Sequence, residues 1–175
     1  MATLDREQAL RVLEQVTDPE IPVLTIADLG ILRDVRVEAD GTVHVDITPT
    51  YSGCPAMDEI RADVGAALAR EGVPRVAVHL VHHPVWTTDW MSAEGRRKLT
   101  EYGIAPPGPR PAGGPVALEL GYRPGLGGTD GTPAPACPRC GSDRTEELAR
   151  FASTACKSLW RCTACREPFD HFKEF

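Results

Sequence analysis

Six cysteines carry the residue chemistry of this 175-residue chain, and five of them lie between Cys137 and Cys165. Cys137-Pro138-Arg139-Cys140-Gly141 and Cys162-Thr163-Ala164-Cys165 make two C-x2-C pairs separated by 21 residues. Two residues between cysteines let a tight turn aim both thiolates at one ion, and two such knuckles supply the tetrahedral sulfur set that Zn²⁺ prefers. Disulfides or iron–sulfur ligation are the competing readings of the same spacing. Four sulfurs leave no open coordination position, so a metal held there is structural. Cys156 stands outside the pattern: it is either a buried structural thiol or an additional thiol, a fifth ligand or transfer group beside the ribbon. His171 reads as an ordinary histidine, because four cysteines leave it no ligand position.

Cys54 is the solitary cysteine of the first hundred residues, within Thr50-Tyr51-Ser52-Gly53-Cys54-Pro55-Ala56-Met57. Proline favours the first helical position, which puts Cys54 at or near a helix start. There the helix dipole and free N–H groups would lower its pKa and favour the thiolate. A small buried residue in a turn is the equal alternative from spacing alone. Asp18-Pro19-Glu20 reads as a helix stop, and Asp28-Leu29-Gly30 as a loop before a strand; by pattern alone all three acids are surface carboxylates. His82-His83-Pro84 reads as a strand end. Trp86 and Trp90 read as cover for a sheet.

The elements that must position these groups are legible around them. Asp5 and Gln8 make a capping pair, after which Ala9, Val12, Leu13 and Val16 follow helical spacing until Asp18-Pro19. Val35 and Val37, then Val43, Val45 and Ile47, alternate on either side of Ala39-Asp40-Gly41, a hairpin signal. A helix with Met57, Ile60, Val64 and Leu68 on one face follows Pro55, and a strand runs from Arg75 to Val81. Ser92 caps a last helix that ends before Gly103. The order α-β-β-α-β-α predicts an α+β fold with helices on one face of a small sheet over residues 1–105. Residues 106–136 hold eight of the sixteen prolines and eight of the sixteen glycines, a linker composition in which Val116, Leu118 and Leu120 allow one short strand. Residues 137–175 form a zinc-ribbon-like β module.

Charge narrows the function classes. The first segment carries net −7, the linker zero and the cysteine-rich tail +1, giving −6 for the chain. The tail lacks the basic footprint of a nucleic-acid-binding ribbon, so nucleic acid is not expected as a partner. No window approaches the roughly 18 apolar residues of a membrane span. The amino-terminal residues show no secretory pattern, so the chain is expected in a reducing cytoplasm, where cysteines more often bind metal than pair. No spaced His/Asp set accompanies Cys54 as nucleophilic catalysis would require.

The motifs together carry a resemblance. Thr17-Asp18-Pro19-Glu20-Ile21-Pro22, Asp28-Leu29-Gly30 and the turn around Cys54 resemble the small domain of SufT-like iron–sulfur assembly proteins. Gly95-Arg96-Arg97-Lys98-Leu99, Tyr102 to Pro107, Ser153 to Lys157, Glu167 to Asp170 and the C-x2-C ribbon make the whole similar to the PaaD (PaaJ) family of bacterial accessory proteins. That resemblance implies a role in aerobic phenylacetate catabolism, assisting maturation or repair of a metal or iron–sulfur centre of the phenylacetyl-CoA ring-1,2-epoxidase. It implies a non-catalytic accessory subunit with partners among the epoxidase subunits, the reductase or the di-iron oxygenase component. A purely structural interaction subunit is the alternative, and a homo-oligomer stays open. The resemblance also implies that Cys54 is the functional thiol, with Asp18 and Glu20 as its acidic companions, handling transient iron or a cluster beside a structural zinc. The linker is longer than the family's, and Arg166 stands where a glycine commonly follows the second knuckle.

Overall fold

The computed structural model describes residues 4–108 and 134–175, so the expected strand around Val116–Leu120 lies outside the described residues. The architecture is α+β, in two units. One runs to Lys98 and includes Phe175, and the other spans Leu99–Glu174. The division falls earlier than residue 105.

In the first unit, helix α1 (Arg6–Leu13) opens with a full capping box. The Asp5 carboxylate accepts from the Gln8 N–H and the Gln8 side chain accepts from the Asp5 N–H. Strands β1 (Leu32–Val37) and β2 (Thr42–Ile47) form the expected antiparallel hairpin, with Val35 opposite Val45 and Val37 opposite Val43. Gly41 adopts φ +82° at its turn, a conformation a side chain would disfavour. Helix α2 (Ala56–Arg70) returns the chain so that β3 (Arg75–Leu80) lies parallel to β2, giving sheet order β1-β2-β3. Ile60, Val64 and Leu68 recur every four residues on α2 and are fully buried with Val45 and Ile47. Each such side chain contributes roughly 1.5–3 kcal/mol through apolar burial. That packing, far more than helix propensity, holds α2 and therefore the turn that precedes it.

A short 3₁₀ turn (Thr88–Trp90) leads to α3 (Ala93–Tyr102), where the Ser92 hydroxyl accepts from the Gly95 N–H at 2.8 Å. Trp86 is buried and donates its indole N–H to the Leu29 carbonyl at 2.8 Å, as core cover should.

The second unit is a four-stranded sheet in the order β4-β7-β6-β5, built from β4 (Ile104–Ala105), β5 (Thr145–Ala149), β6 (Lys157–Cys162) and β7 (Pro168–Phe172). β4 pairs in parallel with β7, so the residues just after Gly103 belong to this sheet. Its small core consists of Ala105, Cys137, Trp160, Cys162 and Phe169. Two of those five residues are cysteines of the C-x2-C pairs, so the core and the sulfur cluster are one structure. Among the described residues no helix is long and apolar enough to cross a membrane.

Candidate functional site

The two knuckles converge. The sulfurs of Cys137, Cys140, Cys162 and Cys165 all lie within 4.8 Å of one another. Cys137 Sγ is 3.8 Å from Cys165 Sγ, and Cys140 Sγ is 3.6 Å from Cys162 Sγ. A tetrahedron of Zn–S bonds near 2.3 Å has S–S edges of about 3.8 Å, so the donor set and its spacing both fit zinc. The first cysteine of each pair is buried and the second exposed. The two knuckles are built alike: Gly141 N–H donates to the Cys137 carbonyl and Arg166 N–H to the Cys162 carbonyl, each at 2.9 Å. Both residues are left-handed, Gly141 at φ +72° and Arg166 at φ +69°. The backbone therefore imposes on Arg166 the conformation that glycine adopts more easily, a strain of roughly 1–2 kcal/mol.

Without a cation the four sulfurs cannot all ionise. Cys162 is drawn down to about 6, chiefly because its sulfur accepts from the Cys165 N–H. Although the Glu167 N–H favours the Cys165 thiolate, desolvation and the neighbouring sulfurs push that thiol up to about 12. A divalent ion removes the conflict, with loss of protons. Cys156 is buried, with its sulfur 3.1 Å from the Thr154 hydroxyl, and it forms no part of the four-sulfur set among the described residues. His171 is also buried, edge-on to Trp160 and near the Ser158 hydroxyl.

Cys54 sits where β2 hands over to α2. Thr48 N–H is tied to the Ile31 carbonyl, Thr48 and Thr50 are buried, and Gly53 takes φ +82° to swing Cys54 toward the helix. Pro55 occupies the N-cap, one residue after the thiol, so the expected placement near the helix start is observed. The expected electrostatics are not. The Cys54 pKa is raised, first by burial, then by the negative charges of Glu20 and Asp18; the Ala56 N–H and the Tyr51 hydroxyl pull the other way and do not win. A helix start lowers a thiol's pKa only while the thiol stays hydrated and free of nearby anions. Half-buried beside two carboxylates, Cys54 meets neither condition.

The acids are also more buried than their pattern suggests. Asp18 is 7% exposed, and its Oδ1 accepts from the backbone N–H groups of Glu20 (2.9 Å) and Ile21 (2.8 Å), which fixes the turn that carries Glu20. Asp28, 8% exposed, has a scaffold role that its motif did not reveal. It is bound by the Lys98 ammonium (2.7 Å), the Ser92 hydroxyl (3.0 Å) and the Thr25 N–H (3.1 Å). Desolvation opposes its ionisation, yet Lys98, Thr25 and Ser92 hold its carboxyl below the usual range. Two residues on, Gly30 (φ +69°) has no room for a side chain, because a Cβ would lie 2.7 Å from the Trp90 carbonyl oxygen. Tyr51, the residue that bonds the thiol, carries no signal in the sequence that would single it out. Its ring stacks on Phe175 at 6.0 Å, and Phe175 meets Trp86 edge-on at 6.2 Å.

Comparison with known proteins places each unit. Residues 6–80 match the family model described as iron–sulfur cluster assembly protein, and residues 123–173 match the PaaD zinc beta ribbon domain. The chain is 46% identical over 161 residues to a protein of Escherichia coli K12 named as a subunit of 1,2-phenylacetyl-CoA epoxidase, covering 92% of this chain and 88% of that one. It is 43% identical over 94 residues to an Fe-S protein maturation auxiliary factor of Porphyromonas gingivalis, covering 53% of this chain and 89% of that one. A crystal structure of a domain of unknown function, DUF59, from Bacillus anthracis superposes with TM-score 0.51 and 29% identity over 54% of this chain and 90% of that one. With both family domains present in one chain and a relative aligned over nearly its whole length, the chain belongs to the PaaD family.

Proposed function

We propose that this protein is an accessory factor of the phenylacetyl-CoA epoxidase system that assists maturation or repair of an iron or iron–sulfur centre. Cys54 takes the cargo, Asp18 and Glu20 assist it, and the zinc-filled ribbon docks the client subunit, the reductase or the di-iron oxygenase component. Support for the general role comes from relatives named as an epoxidase subunit and as Fe-S maturation factors. The observation that carries the mechanism is a half-buried thiol at a helix start whose ionisation is opposed first by burial and then by the charges of Glu20 and Asp18.

That arrangement suits a site that takes a cation and gives it up. Alone, the Cys54 thiolate would sit in an anionic, partly dehydrated turn, so the thiol stays protonated. An iron cation reverses the sign of the carboxylates' influence: the charges that disfavour the bare thiolate favour the metal–thiolate pair. Loading exchanges the S–H proton for an S–Fe bond. Unloading to a client ligand returns a proton to sulfur. One sulfur with oxygen companions is also a weaker and more exchangeable donor set than four sulfurs. Tyr51 steadies the sulfur through its hydroxyl.

The test is complementation of a strain lacking this protein. Cys54→Ser should fold and keep its ribbon metal yet fail to restore epoxidation. Full restoration by Cys54→Ser would overturn the mechanism. The alternative, a stoichiometric interaction subunit without cluster chemistry, predicts that restoration together with stable co-purification of the oxygenase core.

A further inference from the structure

A line of aromatic rings begins in the core of the first unit and ends at the Cys54 turn. Trp86 is buried, and its indole N–H donates to the Leu29 carbonyl at 2.8 Å, which fixes its ring. Phe175 meets that ring edge-on, with centres 6.2 Å apart and planes at 60°. Phe175 also stacks on Tyr51 at 6.0 Å, with planes 18° apart. Both separations lie in the range over which aromatic pairs attract. The backbone of Phe175 is fastened as well, since its carbonyl accepts from the Thr88 N–H at 3.2 Å. The Thr88 carbonyl in turn accepts from the Arg96 guanidinium at 2.7 Å. At the far end of the line, the Tyr51 carbonyl accepts from the Cys54 N–H at 3.3 Å and the Tyr51 hydroxyl bonds the Cys54 sulfur. Ser52 and Gly53 between them are exposed, and a Cβ on Gly53 would meet open space. The turn is therefore not held from that side.

We infer that Phe175 is a positioning residue for Cys54: its ring, braced against Trp86, holds Tyr51 in the rotamer that lays the tyrosine hydroxyl on the thiol. The inference rests on the reading of Cys54 as the functional thiol and adds what sets that thiol's readiness to ionise. A half-buried tyrosine on a turn has several staggered χ1 wells, and a change of well carries its hydroxyl out of hydrogen-bond reach of a fixed sulfur. An aromatic pair of this geometry favours the stacked rotamer roughly two- to tenfold. The hydroxyl donated to sulfur favours the thiolate, against burial and the charges of Glu20 and Asp18. Phe175 therefore acts with the opposite sign to a simple cover. A ring that only shielded the thiol from water would disfavour the thiolate, whereas a ring that holds the hydroxyl in place favours it. Because the thiolate is the form that binds a cation, release of Tyr51 makes loading harder.

The test is the pH profile of Cys54 alkylation by iodoacetamide in the full zinc-loaded chain, read by mass spectrometry of the peptide that contains Cys54. No iron enters the assay, so its outcome is separate from the complementation result for Cys54→Ser. Tyr51→Phe keeps the ring and removes the hydroxyl. Its profile should move to higher pH, lowering the thiolate fraction at fixed pH roughly three- to tenfold. Phe175→Ala should move the profile in the same direction by a similar factor, and should add nothing once Tyr51→Phe is present. Phe175→Leu keeps the apolar bulk, so the fold and the cover remain, yet it should still move the profile upward. Phe175→Tyr keeps the ring and should keep the parent profile. A move to lower pH in Phe175→Ala, as hydration of an uncovered thiol would give, overturns the inference. So does an unmoved profile in Phe175→Leu, or full additivity of Phe175→Ala with Tyr51→Phe.

Discussion

The chain contains two sulfur sites, and they are opposites. In the ribbon, four sulfurs meet without any other donor, the backbone turns that aim them are repeated, and two of them form part of a five-residue core. At Cys54 one sulfur stands half-buried among carboxylates, at a turn held by a separate, well-packed core. On the proposed reading, the first arrangement keeps a metal because two of its ligands are part of the small core. The second has a fold that stands without cargo and a donor set that disfavours the empty thiolate. On that reading, retention and transfer differ in how much of the surrounding structure the ligand supports.

The largest effect should come from breaking the retaining site. Cys162→Ser removes a proposed ligand that is also core, and a strong chelator removes the metal it would hold. Circular dichroism and amide exchange should show loss of the second unit's ordered strands, since metal binding in so small a unit is folding free energy. Cys54→Ser should leave zinc content and exchange protection unchanged while abolishing iron uptake. Leu68→Ala, which empties a fully buried position on α2, should cost about 2–5 kcal/mol in denaturant unfolding of the first unit and leave zinc content unchanged.

A smaller effect should appear at Arg166. Replacement by glycine removes a left-handed side-chain residue and should stabilise the metal-loaded ribbon by roughly 1 kcal/mol, read as slower zinc release. The finest effect concerns pH. Because the Cys54 pKa is raised, its protonated form is favoured by folding. That contribution is fully present below the pKa of an unfolded thiol and is lost as pH rises through the folded value. Alkylation of Cys54 should accordingly begin at higher pH than for a free thiol. Glu20→Gln should shift its onset downward, by a severalfold change in rate at fixed pH, because one opposing charge is gone.

Much of this was legible in the sequence, for local reasons. The Asp5–Gln8 box, the Gly41 turn and the alternation of Val43, Val45 and Ile47 are patterns whose physics is contained within a few residues. The C-x2-C pairs likewise state their geometry in their spacing. What failed was whatever depended on distant neighbours. The burial of Asp18 and Asp28 is not written in their motifs, and the role of Asp28 rests on Ser92 and Lys98, more than sixty positions away. The Cys54 pKa moves opposite to the local expectation because the helix start is local, whereas Glu20 and Asp18 arrive from another loop. Tyr51 and its stacking on Phe175 required the folded turn to become visible.

The most direct measurement is metal content with Mössbauer and absorption spectra of anaerobically purified protein, before and after Cys54→Ser, from iron-replete cells. One zinc per chain is expected in the ribbon of both proteins, with iron or cluster signals only where Cys54 is present. Iron retained undiminished by Cys54→Ser, or iron in place of zinc among the four cysteines, would contradict the division into a retaining and a transferring site.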